Sequence, residues 1–132
     1  MLVGGRSVPG VSGHWSPVTG HTSIRLRQAQ HPLAQRWIEL EAADLLVYKA
    51  AYLYDNGKPC GAEANAAKYL AGEAGFKACE TAVMTHGGMG YAKEYHVERY
   101  LRECMIPRIA PISPELVLCF IAEKVLGLPK SY

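Results

Sequence analysis

Two short segments hold the residues whose types and spacing could do chemistry. The first is His86-Gly87-Gly88-Met89-Gly90-Tyr91. Glycine has no Cβ, so the backbone amides of such a run can come close to a phosphate or a ring. The same run would serve equally well as a helix C-cap and turn, and residue types alone leave both uses open. A dinucleotide fingerprint would follow a strand and open a helix. This run follows a helical stretch, so a site of that kind is not expected. The second segment is Ser113-Pro114-Glu115. Serine at the N-cap, proline at the first helical position and an acid in the first turn mark a helix start.

Other arrangements are missing. The sequence shows no nucleophile elbow, phosphate-binding loop, paired carboxylates or Ser/His/Asp set. His86 and His96 flank the glycine run without the spacing of a zinc-binding helix, so no metal is expected. Glu98, Arg99, Arg102 and Glu103 read as a solvated mixed-charge face. Tyr48, Tyr52, Tyr54 and Tyr69 read as packed rings with their hydroxyls at the rim.

Helices must position these segments. A first helix is expected from Pro32 to Asn56-Gly57-Lys58-Pro59, where Asn-Gly supplies a left-handed turn and Pro59 blocks continuation. Leu33, Trp37, Leu40, Val47 and Ala51 line one face of it. Ile38, Ala42, Leu45 and Leu53 line another, and two apolar stripes imply neighbours on both sides. A second helix is expected over Ala62 to Thr85. Its small-residue stripe, Ala67, Ala71, Ala74, Ala78 and Ala82, allows close approach of another helix. Gly72 and Gly75 fit close packing, and Glu73 is spaced to pair with Lys77. A third helix is expected over Val97 to Ile106, bounded by Pro107. The fourth runs from the Ser113 cap to Gly127. The fold class is therefore all-α, an up-down-up-down four-helix bundle occupying 31–132. Residues 1–30 hold five glycines, two prolines and no acid, and read as an irregular or disordered segment.

Composition narrows the function. The chain has 132 residues, about one domain, with 49% apolar and 20% charged residues and a net charge of +2. That balance lacks the clustered cations of a nucleic-acid binder. No uninterrupted apolar run approaches the length of a membrane span. Cys60, Cys79, Cys104 and Cys119 contain no Cys-x-x-Cys pair; three of the four sit among apolar residues in helical stretches, and they read as reduced, buried thiols.

The ordered set of segments resembles the acyl-CoA dehydrogenase family. The resemblance runs through Ala62 to Tyr91, then Glu94-Tyr95-His96-Val97-Glu98-Arg99-Tyr100-Leu101-Arg102-Glu103. It extends to Leu40-Glu41-Ala42-Ala43-Asp44-Leu45-Leu46 and to Ile121-Ala122-Glu123-Lys124-Val125-Leu126-Gly127-Leu128-Pro129. It covers about residues 30 to 132 and corresponds only to the family's C-terminal helical domain. The resemblance implies an FAD enzyme that desaturates an acyl-CoA thioester between Cα and Cβ. It implies a homodimer or homotetramer paired through these domains. It also implies that Met84, Thr85, His86, Gly87 and Gly88 approach the adenosine diphosphate part of FAD in the neighbouring subunit. Ser113, Pro114 and Glu115 would contact FAD of their own subunit.

The sequence departs from the family pattern in places. Many members have Gln where Met84 stands, and no Arg-Phe-Gly precedes the first helix. The usual catalytic glutamate falls on Pro111, which cannot accept a proton, so no catalytic residue is assigned within the chain. Some members carry the base on an earlier helix, and the resemblance places this chain with them. The chain is accordingly read as part of an acyl-CoA dehydrogenase and as catalytically incomplete alone. The competing reading is a non-catalytic dimerisation module derived from that family. A cytoplasmic location is expected, or the mitochondrial matrix in a eukaryote.

Overall fold

The computed structural model describes residues 22–130, with side chains from residue 29 onward. It is built of helices and turns, with no strand among the described residues. Helix α1 spans Thr22–Asp55 and α2 spans Gly61–His86. Two 3-10 turns follow, Gly87–Tyr91 and Lys93–Tyr95. Helices α3 (Val97–Glu103), α4 (Ile106–Ile109) and α5 (Pro114–Phe120) complete the chain, and α5 runs on into a π turn, Ile121–Val125.

The all-α class holds, but four equal helices do not describe the molecule. Most of the irregular segment expected over 1–30 lies outside the described residues. Residues 22–30, however, already belong to α1. Leu, Arg and Gln dominate that stretch and are good helix formers, even where no periodic face shows. Pro32 sits inside the helix rather than opening it. The expected third helix ends early at Cys104, and Pro107 falls in the first turn of α4 instead of stopping a helix. Proline is tolerated there because the first turn needs no N–H partner. The last helix starts at the Ser113 cap as expected, and Gly127 follows it at φ +68°.

Helix α2 is the hub: α1, α3, α4, α5 and the π turn all pack on it. Its buried positions are Ala67, Gly72 and Ala74, so small residues do set the helix spacing. A Cβ on Gly72 would lie 3.4 Å from the Pro107 carbonyl oxygen, which shows a close approach. Gly75 meets nothing within 4 Å, so packing does not explain it. Ala71 of the expected stripe is exposed.

The protected face of α1 takes only Leu53 from the two apolar stripes. Ala29, Pro32, Arg36, Glu39, Ala43, Leu46, Ala50 and Leu53 are the protected positions, spaced three and four apart. The stripes flank this seam and stay largely in solvent. Trp37, Tyr48, Tyr52, Leu45 and Ile38 fall within about 100° of one another around the helix, and all are exposed, Leu45 at 70%. Lys49 and Glu63 tie α1 to the first turn of α2 at 3.2 Å. The Glu63 carboxyl is held below its ordinary range by its own backbone N–H and by Lys49.

The interior is small. Ala43, Ala67, Ala74, Val97 and Val117 are the buried apolar residues among those described, and Val117 is the most enclosed at 1% exposure. Two buried valines contribute about 1.5–3 kcal/mol each. This thin layer is rimmed by exposed Trp, Leu, Ile and Tyr.

The stretch Val97–Val125 passes a composition test for a membrane-crossing helix, at a mean hydropathy of 1.5 over its best window. That outcome departs from the reading of the uninterrupted runs. The backbone, however, is three short helices separated at Cys104–Met105 and at Ala110–Ser113. Open backbone groups at such breaks are unsuited to lipid.

Candidate functional site: a glycine turn and a capped helix start

The first region lies at the C-terminal end of α2. Thr85 donates its hydroxyl to the Thr81 carbonyl at 2.7 Å. His86 Nδ1 lies 2.8 Å from the Ala82 carbonyl, so a proton on Nδ1 leaves Nε2 free. Both side chains fold back on their own helix. Both nevertheless remain exposed, and Met84, Met89 and Tyr91 stand out into solvent around the backbone of the turn.

The three glycines of the turn do three different things. Gly87 ends the helix at φ +58°, a left-handed conformation that favours glycine. Gly90 is buried against α2, and a Cβ there would collide with the Val83 carbonyl oxygen and lie 2.9 Å from its Cα. Gly88 has no positive φ, and a Cβ there would meet nothing within 4 Å. The fold uses the smallness of Gly90 and the conformation of Gly87. It makes no use of the missing side chain at Gly88, which leaves an open approach to the backbone.

The second region is the start of α5. Ser113 Oγ accepts from the Leu116 N–H at 3.4 Å, the N-cap bond expected from sequence. Glu115 is fully exposed, yet its carboxyl is held below the ordinary range. Its own backbone N–H is the main cause, followed by the Ser113 hydroxyl, with Lys68 and Arg108 adding attraction and slight burial opposing. This end therefore presents an ionised acceptor. It suits a ligand's hydroxyl or N–H better than a phosphate.

Sequence reading missed the residues that hold this region. Lys68 of α2 donates its ammonium to the Ile112 carbonyl, one residue before the cap. Arg108 of α4 pairs through Nε with Glu73 at 2.9 Å and lies 4.6 Å over the Phe76 ring. Glu73 is thus engaged by Arg108, whereas the sequence had matched it to Lys77. A guanidinium that can both pair and stack has two interactions where a lysine one turn away has one. Lys68, Glu73 and Phe76 share a side of α2, but their partners are more than thirty residues away and carry no local signal. Pro111 lies between Arg108 and the cap, exposed and without a side-chain acceptor.

The two regions do not meet within one chain. Ser113 sits level with Lys68, and His86 lies eighteen residues further along α2, about 27 Å at 1.5 Å per residue.

A family model described as acyl-CoA dehydrogenase, C-terminal domain, matches residues 17–126. The chain belongs to the acyl-CoA dehydrogenase family. It is 48% identical over 121 residues to the acyl-CoA dehydrogenase FadE12 of Mycobacterium tuberculosis, covering 89% of this chain and 30% of that protein. It is 42% identical over 95 residues to an acyl-CoA dehydrogenase of Bacillus subtilis, covering 72% of this chain and 25% of the relative. Against the mitochondrial short-chain specific acyl-CoA dehydrogenase of Bos taurus, identity is 39% over 113 residues, 86% of this chain and 27% of that protein. The chain therefore spans about 30% or less of the length of these acyl-CoA dehydrogenases.

Proposed function

We propose that this chain is the FAD-contacting and subunit-pairing helical domain of an acyl-CoA dehydrogenase. The supporting observation is Gly88, whose open backbone the fold itself does not require. In this reading Met84, Thr85, His86, Gly87 and Gly88 receive the adenosine diphosphate part of FAD held mainly by a neighbouring subunit. Ser113, Pro114 and Glu115 orient the FAD of their own subunit through acceptor contacts. FAD, when bound, supplies the acceptor for hydride from an acyl-CoA thioester.

No proton transfer is assigned to this chain. Pro111 stands where the family usually has its base. Glu115 is tied to Ser113 and to its own backbone, and serves the helix start. The base belongs to an earlier helix of the complete enzyme. Pairing follows from the exposed stripes of α1, which a second copy would cover in a two-fold dimer, doubled in a tetramer. Light scattering of the chain at micromolar concentration should give a multiple of 14.4 kDa, and a strict monomer would count against pairing.

A chimera tests the reading. Residues 17–126 replace the matching part of the mycobacterial relative. The purified chimera should retain flavin and oxidise an acyl-CoA, while the 132-residue chain alone, given FAD and acyl-CoA, should show no turnover. A folded chimera without flavin would support the dimerisation module instead.

A further inference from the structure

We propose that Cys79 and Cys104 form a reversible dithiol–disulfide pair which a peroxide oxidises, tying α3 to α2 across the glycine turn. The two Sγ atoms lie 3.0 Å apart, on elements that pack directly on each other. A disulfide is about 2.05 Å long, so closure asks for about 1 Å of movement. Cys104 is the C-cap residue of α3, followed by the turn at Met105. Its side chain can close on Cys79 without unwinding a helix. All four cysteines are free thiols, and Cys60 and Cys119 are not part of this contact.

The chemistry balances with hydrogen peroxide as the oxidant. One thiolate sulfur attacks a peroxide oxygen, the O–O bond breaks, and the departing hydroxide takes a proton and leaves as water. The sulfenic acid so formed is attacked by the second sulfur. The S–O bond breaks, and hydroxide leaves with the second thiol's proton as another water. Two thiols lose two electrons and two protons, and peroxide becomes two waters. Burial, and then the Cys104 thiol beside it, pushes Cys79 up to about 11. Either sulfur can make the first attack, and the other then resolves the sulfenic acid.

The consequence is topological. The two residues are 25 apart in sequence. The segment between them contains Met84–Gly88, the Gly90 contact and both 3-10 turns. A bridge would restrain that whole segment at its base, while reduction by a dithiol would release it. The proposal stands on the sulfur geometry and does not depend on what the glycine turn binds.

Trypsin makes the test direct, because cleavage at Lys77, Lys93, Arg102 and Arg108 puts the two cysteines on separate short peptides. The reduced 132-residue chain is treated with a small excess of hydrogen peroxide, blocked with N-ethylmaleimide, digested and weighed. The expected product is one cross-linked peptide pair, two hydrogens lighter than the sum and separated again by dithiothreitol, with Cys60 and Cys119 alkylated. In Cys79→Ser, dimedone should trap a sulfenic acid on Cys104. As a second readout, cleavage after Lys93 in the undenatured chain should slow on oxidation. Alkylation of both Cys79 and Cys104 after peroxide, bridging to Cys60 or Cys119, or over-oxidation without a bridge would each overturn the proposal. The mass measurement on the unsubstituted chain decides it even if a serine variant fails to fold.

Discussion

The glycine turn and the start of α5 are built on opposite plans. In the turn, side chains withdraw: Thr85 and His86 bond back to their own helix, and Gly88 leaves backbone open. At α5, side chains advance: Ser113 and Glu115 are locked together, with Lys68 and Arg108 behind them. The first plan leaves the backbone at Gly88 open, between the exposed side chains of Met84 and Met89. The second makes a surface defined by charge and hydrogen bonds. They should therefore fail in different ways.

The largest expected effect is steric. Gly90→Ala puts a methyl into the Val83 backbone, and overpacking of that kind costs about 1–3 kcal/mol. Gly88→Ala, two residues away, should leave the melting temperature nearly unchanged. Thermal melts of the two variants check this, and equal destabilisation would show that the glycines are not divided as described.

Next comes the cap. Ser113→Ala removes the acceptor for Leu116 N–H and should cost about 1 kcal/mol. Denaturant unfolding would read it, and the turn's protection against hydrogen exchange should not change. A change at both ends would mean that the regions are coupled through α2.

Acid should separate them further. The Glu115 carboxyl titrates lower in the folded chain than in the unfolded one. Its ionised form therefore stabilises the start of α5 above the ordinary carboxylate value of 4.5. That contribution is lost as pH falls through the lower folded value. The α5 amides should lose exchange protection in that acid range, and Glu115→Gln should remove this dependence while leaving the turn's pH response unaltered.

The smallest expected effect lies between the regions. Gly75 is helical and open, so Gly75→Ala should stabilise α2 by up to about 1 kcal/mol. A melting temperature that falls instead would mean that something covers Gly75.

What the sequence showed follows from how local each signal is. The Ser113 cap, the Asn56-Gly57 stop and the extent of α2 rest on neighbours within one helical turn, and all three are seen in the structure. The seam of α1 was not legible, because Arg36 and Glu39 line it beside Leu46 and Leu53 while Trp37, Ile38 and Leu45 stay outside it. Hydrophobicity alone does not say which of several apolar faces a neighbouring helix covers. Lys68, Arg108 and the Cys79–Cys104 contact escaped because each depends on a distant partner. The three roles within the glycine run escaped because φ and backbone clearance are not written in residue type.

In the proposed arrangement the two regions of one chain serve two different flavins. Chimeras with the mycobacterial relative test it by subunit complementation. One carries Gly88→Val, the other Ser113→Ala with Glu115→Gln, and each alone should lose flavin and activity. Random pairing of the two in one cell should give mixed dimers with one intact site and one doubly defective site. Flavin content and activity should then return to about a quarter of the unsubstituted chimera. If both regions served the same flavin within one subunit, no pairing would restore an intact site, and the mixture would stay as inactive as either variant alone.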